Sequence, residues 1–393
     1  MSTQNIIFLE YSLILKDVVK FLREYGHNLY GLHPRSITVT HFIKTCMQYD
    51  ADWVFGINFS PEIAYLCSRV GIPYVSWTID PISYKRFKLI DDTNAEMCIC
   101  FAHDIRTVTK FQNLGVHAQH MFLAASDVRR KPIIDKKILQ RYSCDASFVG
   151  NSMFDDIMAL ENYIKSLEVL SFQENKQKKI ISVIMKWLKN TTIQCSNDSD
   201  YQGIYSMGGW SSIPKELENL EIDKSKKNEL LFFIDGALAA LHRQNVIYKI
   251  QKSSCTIHVW GDEHWSKVHP NYQGKAEHNN ELTKIYCASG LNIDIPRLYQ
   301  RNTINMRVFD AMAVGGAVLS ERNDTILEFF EEDHDIILYT SPDELDDKIK
   351  WWSRHPTQRQ NIAQRGRQKV RENHLISHRV NRMLQCLQDV FYA

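Results

Sequence analysis

Residues 301–320 read RNTINMRVFDAMAVGGAVLS, the pattern of a helix followed by a short buried strand. The helix is predicted over residues 304–314, with Thr303 or Asn302 as its N-cap. It is expected to end at the glycine pair that follows, because glycine takes the left-handed conformation that a helix C-cap needs. The apolar run at 317–319 then predicts a buried strand.

The amino end of this predicted helix is a candidate anion site. Its first backbone N–H groups are unpaired and carry a partial positive charge. Arg307 falls in the first turn, where a guanidinium group can bond a phosphate through two N–H groups. Asp310 lies one turn further on the same face. A diphosphate at the helix tip and ribose hydroxyls beside Asp310 would form one nucleotide site; the alternative is a surface helix whose charges are solvated.

The stretch resembles the nucleotide-sugar helix of GT-B glycosyltransferases. More narrowly, it is similar to that of the CgeB-like (spore-maturation-protein-like) family, whose members carry an R-x-F-[ED]-x-x-x-x-G-G pattern here. The resemblance covers residues 1–150 and 240–385, and the segments GINFSPEIAYLC, GIPYVSWTIDP and LGVHAQHMFLAA match in order.

The resemblance implies an α/β GT-B fold, with two Rossmann-like domains facing across a cleft. It also implies transfer of a sugar from a nucleotide diphosphate sugar to an unknown acceptor, without a metal or other cofactor. The residues expected to bind the nucleotide sugar on this helix are Thr303, Asn305, Arg307, Asp310, Gly315 and Gly316. Many retaining GT-B enzymes carry two glutamates seven residues apart. The matching positions here are Asn302 and Asp310, so the stereochemical outcome stays open.

The composition indicates a globular chain with room for two domains, since 393 residues are 44% hydrophobic and 24% charged. Lys plus Arg (47) nearly balances Asp plus Glu (46), so no overall field favours nucleic acid or a membrane surface. The nine scattered cysteines are typical of reduced thiols. Glu10 and Lys16 interrupt the first apolar run, and no apolar span reaches membrane length. A cytoplasmic location without a membrane span is therefore expected.

A first, acceptor-side domain is predicted at residues 1–143, where buried strands alternate with helices as in a parallel sheet. Ligands of such sheets bind beyond the carboxyl ends of the strands, and Asn58, Asp80 and His103 are predicted there. Asp80, expected beside Trp77 and an apolar wall, is the candidate general base for the acceptor hydroxyl, with His103 as the substitute. The alternative is that Asp80, which precedes Pro81, only caps the next turn.

A second, nucleotide-sugar-binding domain is predicted at residues 144–376. Gly150 and Asn151 follow its first predicted strand, where GT-B enzymes place a loop beside the diphosphate; the alternative is an ordinary turn. Gly261 ends the predicted strand at 255–260. Gly274 lies in a loop of the kind that holds the base in this fold through backbone groups.

A mostly helical insertion is predicted at residues 155–235, where the resemblance is absent. We expect it to serve packing, assembly of a homo-oligomer or acceptor choice, and not donor binding. The last helix, predicted over 377–391, is expected to return to the first domain, as it usually does in GT-B chains.

Four histidines and two acids between residues 258 and 278 suggest a metal site, but they lack ligand spacing on one element, so no metal is expected. They are His258, Asp262, Glu263, His264, His269 and His278. Two other functions stay open. The chain could be a nucleotide-sugar epimerase on the same scaffold, or a non-catalytic protein that binds carbohydrate or a partner.

Overall fold

The computed structural model describes residues 2–10, 13–33, 37–80, 92–167, 174–196, 213–219, 221–300 and 302–391. Pro81 and the polar segment 197–212 of the predicted insertion lie outside them. The chain divides into two compact units: unit 1 contains residues 1–128 and 372–393, and unit 2 contains residues 129–371. Residues 129–143, which we assigned to the first domain, thus lie in unit 2.

Unit 1 is built on a six-stranded sheet in which every pair of neighbouring strands is parallel, in the order β2-β1-β3-β4-β5-β6. Every residue of β3, β4 and β5 is buried, as the continuous apolar runs predict for a parallel sheet with both faces covered. The strands are β1 Asn5–Leu9, β2 Asn28–Leu32, β3 Trp53–Ile57, β4 Tyr74–Thr78, β5 Cys98–Ala102 and β6 His117–His120.

Helices cover this sheet, and their ends follow the local sequence. Ser60 accepts a hydrogen bond from Ile63 N at the start of α3, Pro61 occupies its first turn, and Gly71 ends it at φ 80°. A short helix, Asp92–Ala95, precedes β5. The helices of unit 1 are α1 Leu13–Glu24, α2 Val39–Gln48, α3 Pro61–Val70, α4 Asp92–Ala95, α5 Ile105–Gln112 and the last helix of the chain, α16 Ile376–Phe391.

The last helix is held within unit 1 by side chains that reach the segment after β6. Arg379 Nε donates to Phe122 O (2.9 Å), and Ser377 Oγ donates to Asp127 Oδ2 (2.5 Å). Leu375 also forms a parallel bridge with Ala125. The chain therefore passes back from unit 2 to unit 1 at residues 371–372.

Unit 2 contains a five-stranded sheet, also with parallel neighbours, in the order β11-β10-β9-β7-β8. The strands are β7 Cys144–Val149, β8 Ile257–Trp260, β9 Ser289–Asp294, β10 Val318–Glu321 and β11 Ile337–Tyr339. The chain leaves β7 for β8 on one side and returns to β9 on the other. The gap between the carboxyl ends of β7 and β9 is thus the topological switch point, where open α/β sheets bind ligands.

The helices of unit 2 fall into two groups. One packs on the sheet, and the other forms a separate apolar cluster in the predicted insertion, built around Leu160, Leu188, Leu230 and Ile234. The helices are α6 Lys136–Tyr142, α7 Phe154–Ser166, α8 Glu174–Ser196, α9 Lys215–Glu218, α10 Lys224–Ile250, α11 Glu281–Ala288, α12 Met306–Ala313, α13 Asp324–Phe329, α14 Pro342–Ser353 and α15 Pro356–Asn373.

One helix joins the insertion to the sheet. The 27-residue α10 begins in the insertion cluster and ends against the core of the sheet, where Val246, Ile247 and Ile250 are buried. No helix in the described part of the chain is long and apolar enough to cross a membrane.

Candidate functional site

Three glycine loops that are far apart in sequence meet at the carboxyl ends of β7 and β8. Gly150 N donates to Trp260 O (3.0 Å), and Gly261 N donates to Gly274 O (3.0 Å). A Cβ atom on Gly261, whose φ is 156°, would collide with Gly150 O. The β7 loop can therefore approach the backbone at position 261 this closely only because that residue is glycine.

Asp262 fixes the two loops to each other. Its carboxylate accepts hydrogen bonds from Ser152 N (2.5 Å) and Ser152 Oγ (2.8 Å), and also from His264 N (3.1 Å). The side chain of Asn151 turns back to accept from Met153 N (2.6 Å). Hydrogen bonds thus connect the loops that contain the predicted residues Gly150, Asn151, Gly261 and Gly274.

The helix α12 begins two residues later than predicted, because Asn305 precedes its first turn. Neither expected cap acts as one: Thr303 is buried, and its Oγ1 donates to Gln300 O (2.8 Å). Asn305 makes no side-chain cap bond either, and its Nδ2 donates to Asp294 Oδ1 (3.0 Å). Among the described residues, the N-cap side chain therefore accepts no hydrogen bond from the first-turn N–H groups of α12.

Arg307 lies at the switch point between β7 and β9. Its Nε donates to Val149 O (2.8 Å), its Nη1 lies 2.5 Å from Asp294 Oδ1, and its guanidinium carbon is 5.0 Å from the centre of the Phe148 ring. Within the described part of the chain, no hydrogen bond involves Nη2, which lies against Gly150. The sequence predicted that this guanidinium group bonds a phosphate. In the structure Val149 O and Asp294 hold it in one orientation.

A second arginine, which the sequence analysis missed, lies on the other side of this site. Arg243 of α10 donates from Nη1 to Asn151 O (2.9 Å) and from Nη2 to Ile295 O (3.0 Å), with its guanidinium carbon 5.9 Å from the Phe148 ring centre. Burial, reinforced by Arg307 and Arg297, lowers the pKa of Arg243 to about 9. It remains charged at neutral pH, so the site concentrates positive charge.

Asp294 organises the same site from the end of β9. Its buried carboxylate accepts from Arg307, Asn305 and Ser320 Oγ (3.0 Å), and Tyr339 Oη donates to its backbone carbonyl (3.2 Å). Asp294 was not among the predicted site residues. Its position could have indicated a role, because an acidic residue at the carboxyl end of a buried strand lies where such sheets bind ligands.

Asp310 does not lie where a ribose could reach it. It is 1% exposed, and its Oδ2 is 2.8 Å from Nε of Arg130, whose side chain is fully buried. Arg130 in turn donates to Thr283 Oγ1 and to His278 O. Asp310, which we predicted to bind the ribose, is thus paired with Arg130 near the start of unit 2. This buried ion pair connects α12 to the residues around Arg130.

Gly315 and Gly316 end α12 as predicted but lie away from the site. Gly315 N donates to Met312 O and Gly316 N to Ala311 O, which is a Schellman motif, with Gly315 at φ 86°. An eight-residue helix is about 12 Å long, so these glycines lie at the opposite edge of the sheet from Arg307. A polar groove of about 590 Å³ at that amino edge, with Gly315 in its wall, is separate from the candidate site.

In unit 1, Asp80 follows β4 and is joined to the end of β3. Its exposed carboxylate accepts from Asn58 Nδ2 (2.9 Å), and Asn58 Oδ1 accepts from the backbone N–H groups of Ile79 and Asp80. Trp77, three residues before Asp80, is completely buried. Asn58 takes a left-handed φ of 62°, which asparagine tolerates.

His103 lies at the carboxyl end of β5, as predicted, but it is buried. Its backbone N donates to Thr78 O (3.3 Å), and its carbonyl oxygen is 2.9 Å from His120 Nε2. The switch point of this sheet lies between β1 and β3. Asn58 borders it, while Asp80 and His103 lie one and two strands away.

The four histidines between residues 258 and 278 lie in different surroundings. Burial lowers the pKa of His269 to about 4, with a contribution from His258, while His278 lies against Arg129 and Arg130. Among the described residues, no group of three or more potential ligands could hold a metal ion.

Comparisons with known proteins agree with this architecture. Residues 238–385 match the model of a family described as glycosyl transferase-like. A glycosyltransferase from Rickettsia africae superposes with a TM-score of 0.55 at 10% identity, over 100% of both chains. Anabaena HepE in complex with UDP-glucose gives 0.56 at 10%, over 98% of this chain and 100% of that one. The fold is GT-B.

Sucrose-phosphate synthase from Thermosynechococcus elongatus shares this GT-B fold, with a TM-score of 0.51 at 9% identity over 99% of each chain. A search of curated proteins found no match to the sequence. The predicted fold class is thus confirmed, and the glycosyltransferase match covers the segment that contains Arg243, Asp294 and Arg307.

Proposed function

We propose that this GT-B protein is a glycosyltransferase of the CgeB-like type. It binds a nucleoside diphosphate sugar at the carboxyl edge of the unit 2 sheet and transfers the sugar to an acceptor. The observation that carries the proposal is the convergence of Arg243 and Arg307 on the two sides of the β7–β9 switch point.

The charge of this site matches a diphosphate. Arg243 lies close enough to Arg307 and Arg297 for their repulsion to lower its pKa, and Asp294 neutralises only part of the total charge. A diphosphate placed there would replace repulsion with charge-assisted hydrogen bonds. The open first turn of α12 adds backbone N–H groups that favour an anion.

The same groups account for the reaction. Breaking the bond between the sugar and the diphosphate leaves negative charge on the leaving group, and donors fixed before the reaction stabilise that charge most effectively. Arg307 is fixed by Val149 O and Asp294, and Arg243 by Asn151 O and Ile295 O. We therefore propose that transfer needs no metal ion, and activity that is unchanged in EDTA would support this.

The acceptor hydroxyl must lose a proton, and Asp80 is the base that we propose for this step. Its exposed carboxylate is oriented by Asn58. His103 remains the substitute, although its burial makes it the less accessible of the two.

A thermal-shift screen with UDP-, GDP-, dTDP- and CMP-sugars tests the donor. Because HepE is described with UDP-glucose, UDP and glucose, UDP-glucose is the first donor to try. A ligand at a hundredfold excess over Kd adds about 2.7 kcal/mol to the free energy of unfolding. Failure of the whole set to stabilise the protein would contradict the proposal. Conversion of the donor to an isomer without acceptor would indicate an epimerase.

A further inference from the structure

A buried histidine–glutamate pair lies one residue from Arg243. His242 Nε2 is 2.7 Å from Glu321 Oε2, and the two side chains are 1% and 4% exposed. Glu321 ends β10, and His242 belongs to α10. The pair therefore joins the long helix from the insertion to the carboxyl edge of the sheet.

Consecutive residues of a helix project about 100° apart, so His242 and Arg243 reach different strands. His242 reaches the end of β10, whereas Arg243 bonds the loop after β7 and the residue after β9. With both side chains bonded, α10 can neither rotate nor slide without breaking one of these contacts.

We propose that His242 and Glu321 are positioning residues for the diphosphate site, which hold α10 so that the guanidinium group of Arg243 faces the ligand. The inference rests on the proposed function. It also assigns the insertion a part in donor binding, because the helix that carries Arg243 begins there.

The need for such an anchor follows from the surroundings of Arg243. In the free protein its neighbours include the positive charges of Arg307 and Arg297, and repulsion favours an outward shift of this side chain. Its hydrogen bonds among the described residues go to two backbone carbonyl groups, which carry no net charge, and Asp294 offsets only part of the repulsion. An anchor one residue away keeps the helix in place when no anion is bound.

A double-mutant cycle tests this inference, with inorganic pyrophosphate as the probe because it contacts the diphosphate site without a base or sugar. Calorimetry should show that His242→Ala weakens pyrophosphate binding about tenfold in the native background. In the Arg243→Ala background the same change should have less than about a twofold effect, since the group being positioned is gone. His242→Gln, which can place an amide donor near the Nε2 position, should recover most of the affinity.

The matched control is Asp335→Ala. Asp335 is also buried, and it is bonded by Lys369 and His334 before β11, at the other edge of the sheet. The Asp335→Ala replacement should lower the melting temperature without changing the affinity for pyrophosphate. A wild-type protein that does not bind pyrophosphate, or an Arg243→Ala variant that binds it normally, would overturn the proposed anion site. Normal binding by His242→Ala, or an equal effect in both backgrounds, would overturn the positioning role alone.

Discussion

Arg307 Nη1 and Asp294 Oδ1 lie 2.5 Å apart, and this ion pair connects the first turn of α12 to the end of β9. The pair is mostly buried, with the Arg307 side chain 14% and the Asp294 side chain 2% exposed. It orients the cation but also neutralises part of its charge. The anion site therefore depends on several donors and not on Arg307 alone.

Replacing Arg307 should affect both binding and stability. Arg307→Lys keeps the charge but cannot bond Val149 O and Asp294 at once, so affinity for the cognate nucleoside diphosphate should fall about 10- to 150-fold. The melting temperature should also fall, because Asp294 loses a partner. Calorimetry and thermal denaturation measure the two effects, with the exposed Arg354→Lys as control. Unchanged affinity of Arg307→Lys for the nucleoside diphosphate would show that Arg307 does not take part in binding.

A methyl group at Gly150 should displace Arg307. A Cβ atom there would lie 2.7 Å from Arg307 Nη2 and 2.9 Å from the Phe148 ring, both closer than van der Waals contact. Gly150→Ala should therefore weaken nucleotide binding about tenfold or more, at a cost in stability of about 1–3 kcal/mol. In the control Gly236→Ala, the new Cβ meets ordinary contacts near 3.4 Å. Equal nucleotide affinity in both variants would contradict this prediction.

Asp310→Asn should destabilise the protein by about 3–5 kcal/mol, because Arg130 would be left charged and buried without its counterion. The double replacement Arg130→Met with Asp310→Leu should recover much of this loss. Chemical denaturation measures both. If Asp310→Asn instead kept full stability and lost nucleoside diphosphate binding while retaining pyrophosphate binding, Asp310 would be the ribose ligand that the sequence predicted.

Asp80→Asn should lower the rate of sugar transfer by roughly 10²- to 10⁴-fold if Asp80 is the base. Donor affinity and melting temperature should stay unchanged, because Asn58 can still bond an amide oxygen at this position. Asp50→Asn, another exposed acid of unit 1, is the control, and asparagine tolerates its left-handed φ of 48°. Near-normal transfer with reduced stability would show that Asp80 is only structural.

Stability should fall on acidification partly because of His269. Burial lowers its folded-state pKa to about 4, while an unfolded histidine titrates near 6.5. Between these values the unfolded state binds more protons, so the free energy of unfolding decreases as the pH falls from 6.5 towards 4. The contribution is about 1–3 kcal/mol at pH 4.

His269→Asn can still accept the hydrogen bond from Asn271 N, but it carries no proton-binding site. Urea denaturation of this variant should therefore show a weaker dependence of stability on pH between 7 and 4.5. The exposed His117→Gln is the control. An unchanged pH dependence in His269→Asn would mean that other groups cause the acid effect.

The sequence alone determined the fold class and the loops of the donor side. Buried apolar runs alternating with helices require a parallel sheet, and a helix stop at Gly315 needs only local backbone geometry. Gly150, Gly261 and Gly274 could be predicted as loop residues because each follows or faces a strand end. Their meeting is a consequence of the parallel sheet, which gathers the carboxyl ends of its strands on one edge.

Only the tertiary structure decided which charges are available in the site. Asp310 and Arg307 share one short helix, but their ion-pair partners come from other segments. Asp310 pairs with Arg130, which lies 180 positions earlier in the sequence. Arg307 pairs with Asp294 of β9. Arg243 could not be assigned from sequence, because a charge inside an apolar helix acquires a role only from the elements packed against it. Local periodicity specifies which face of an element is buried, whereas the partner of a buried charge depends on contacts between distant segments.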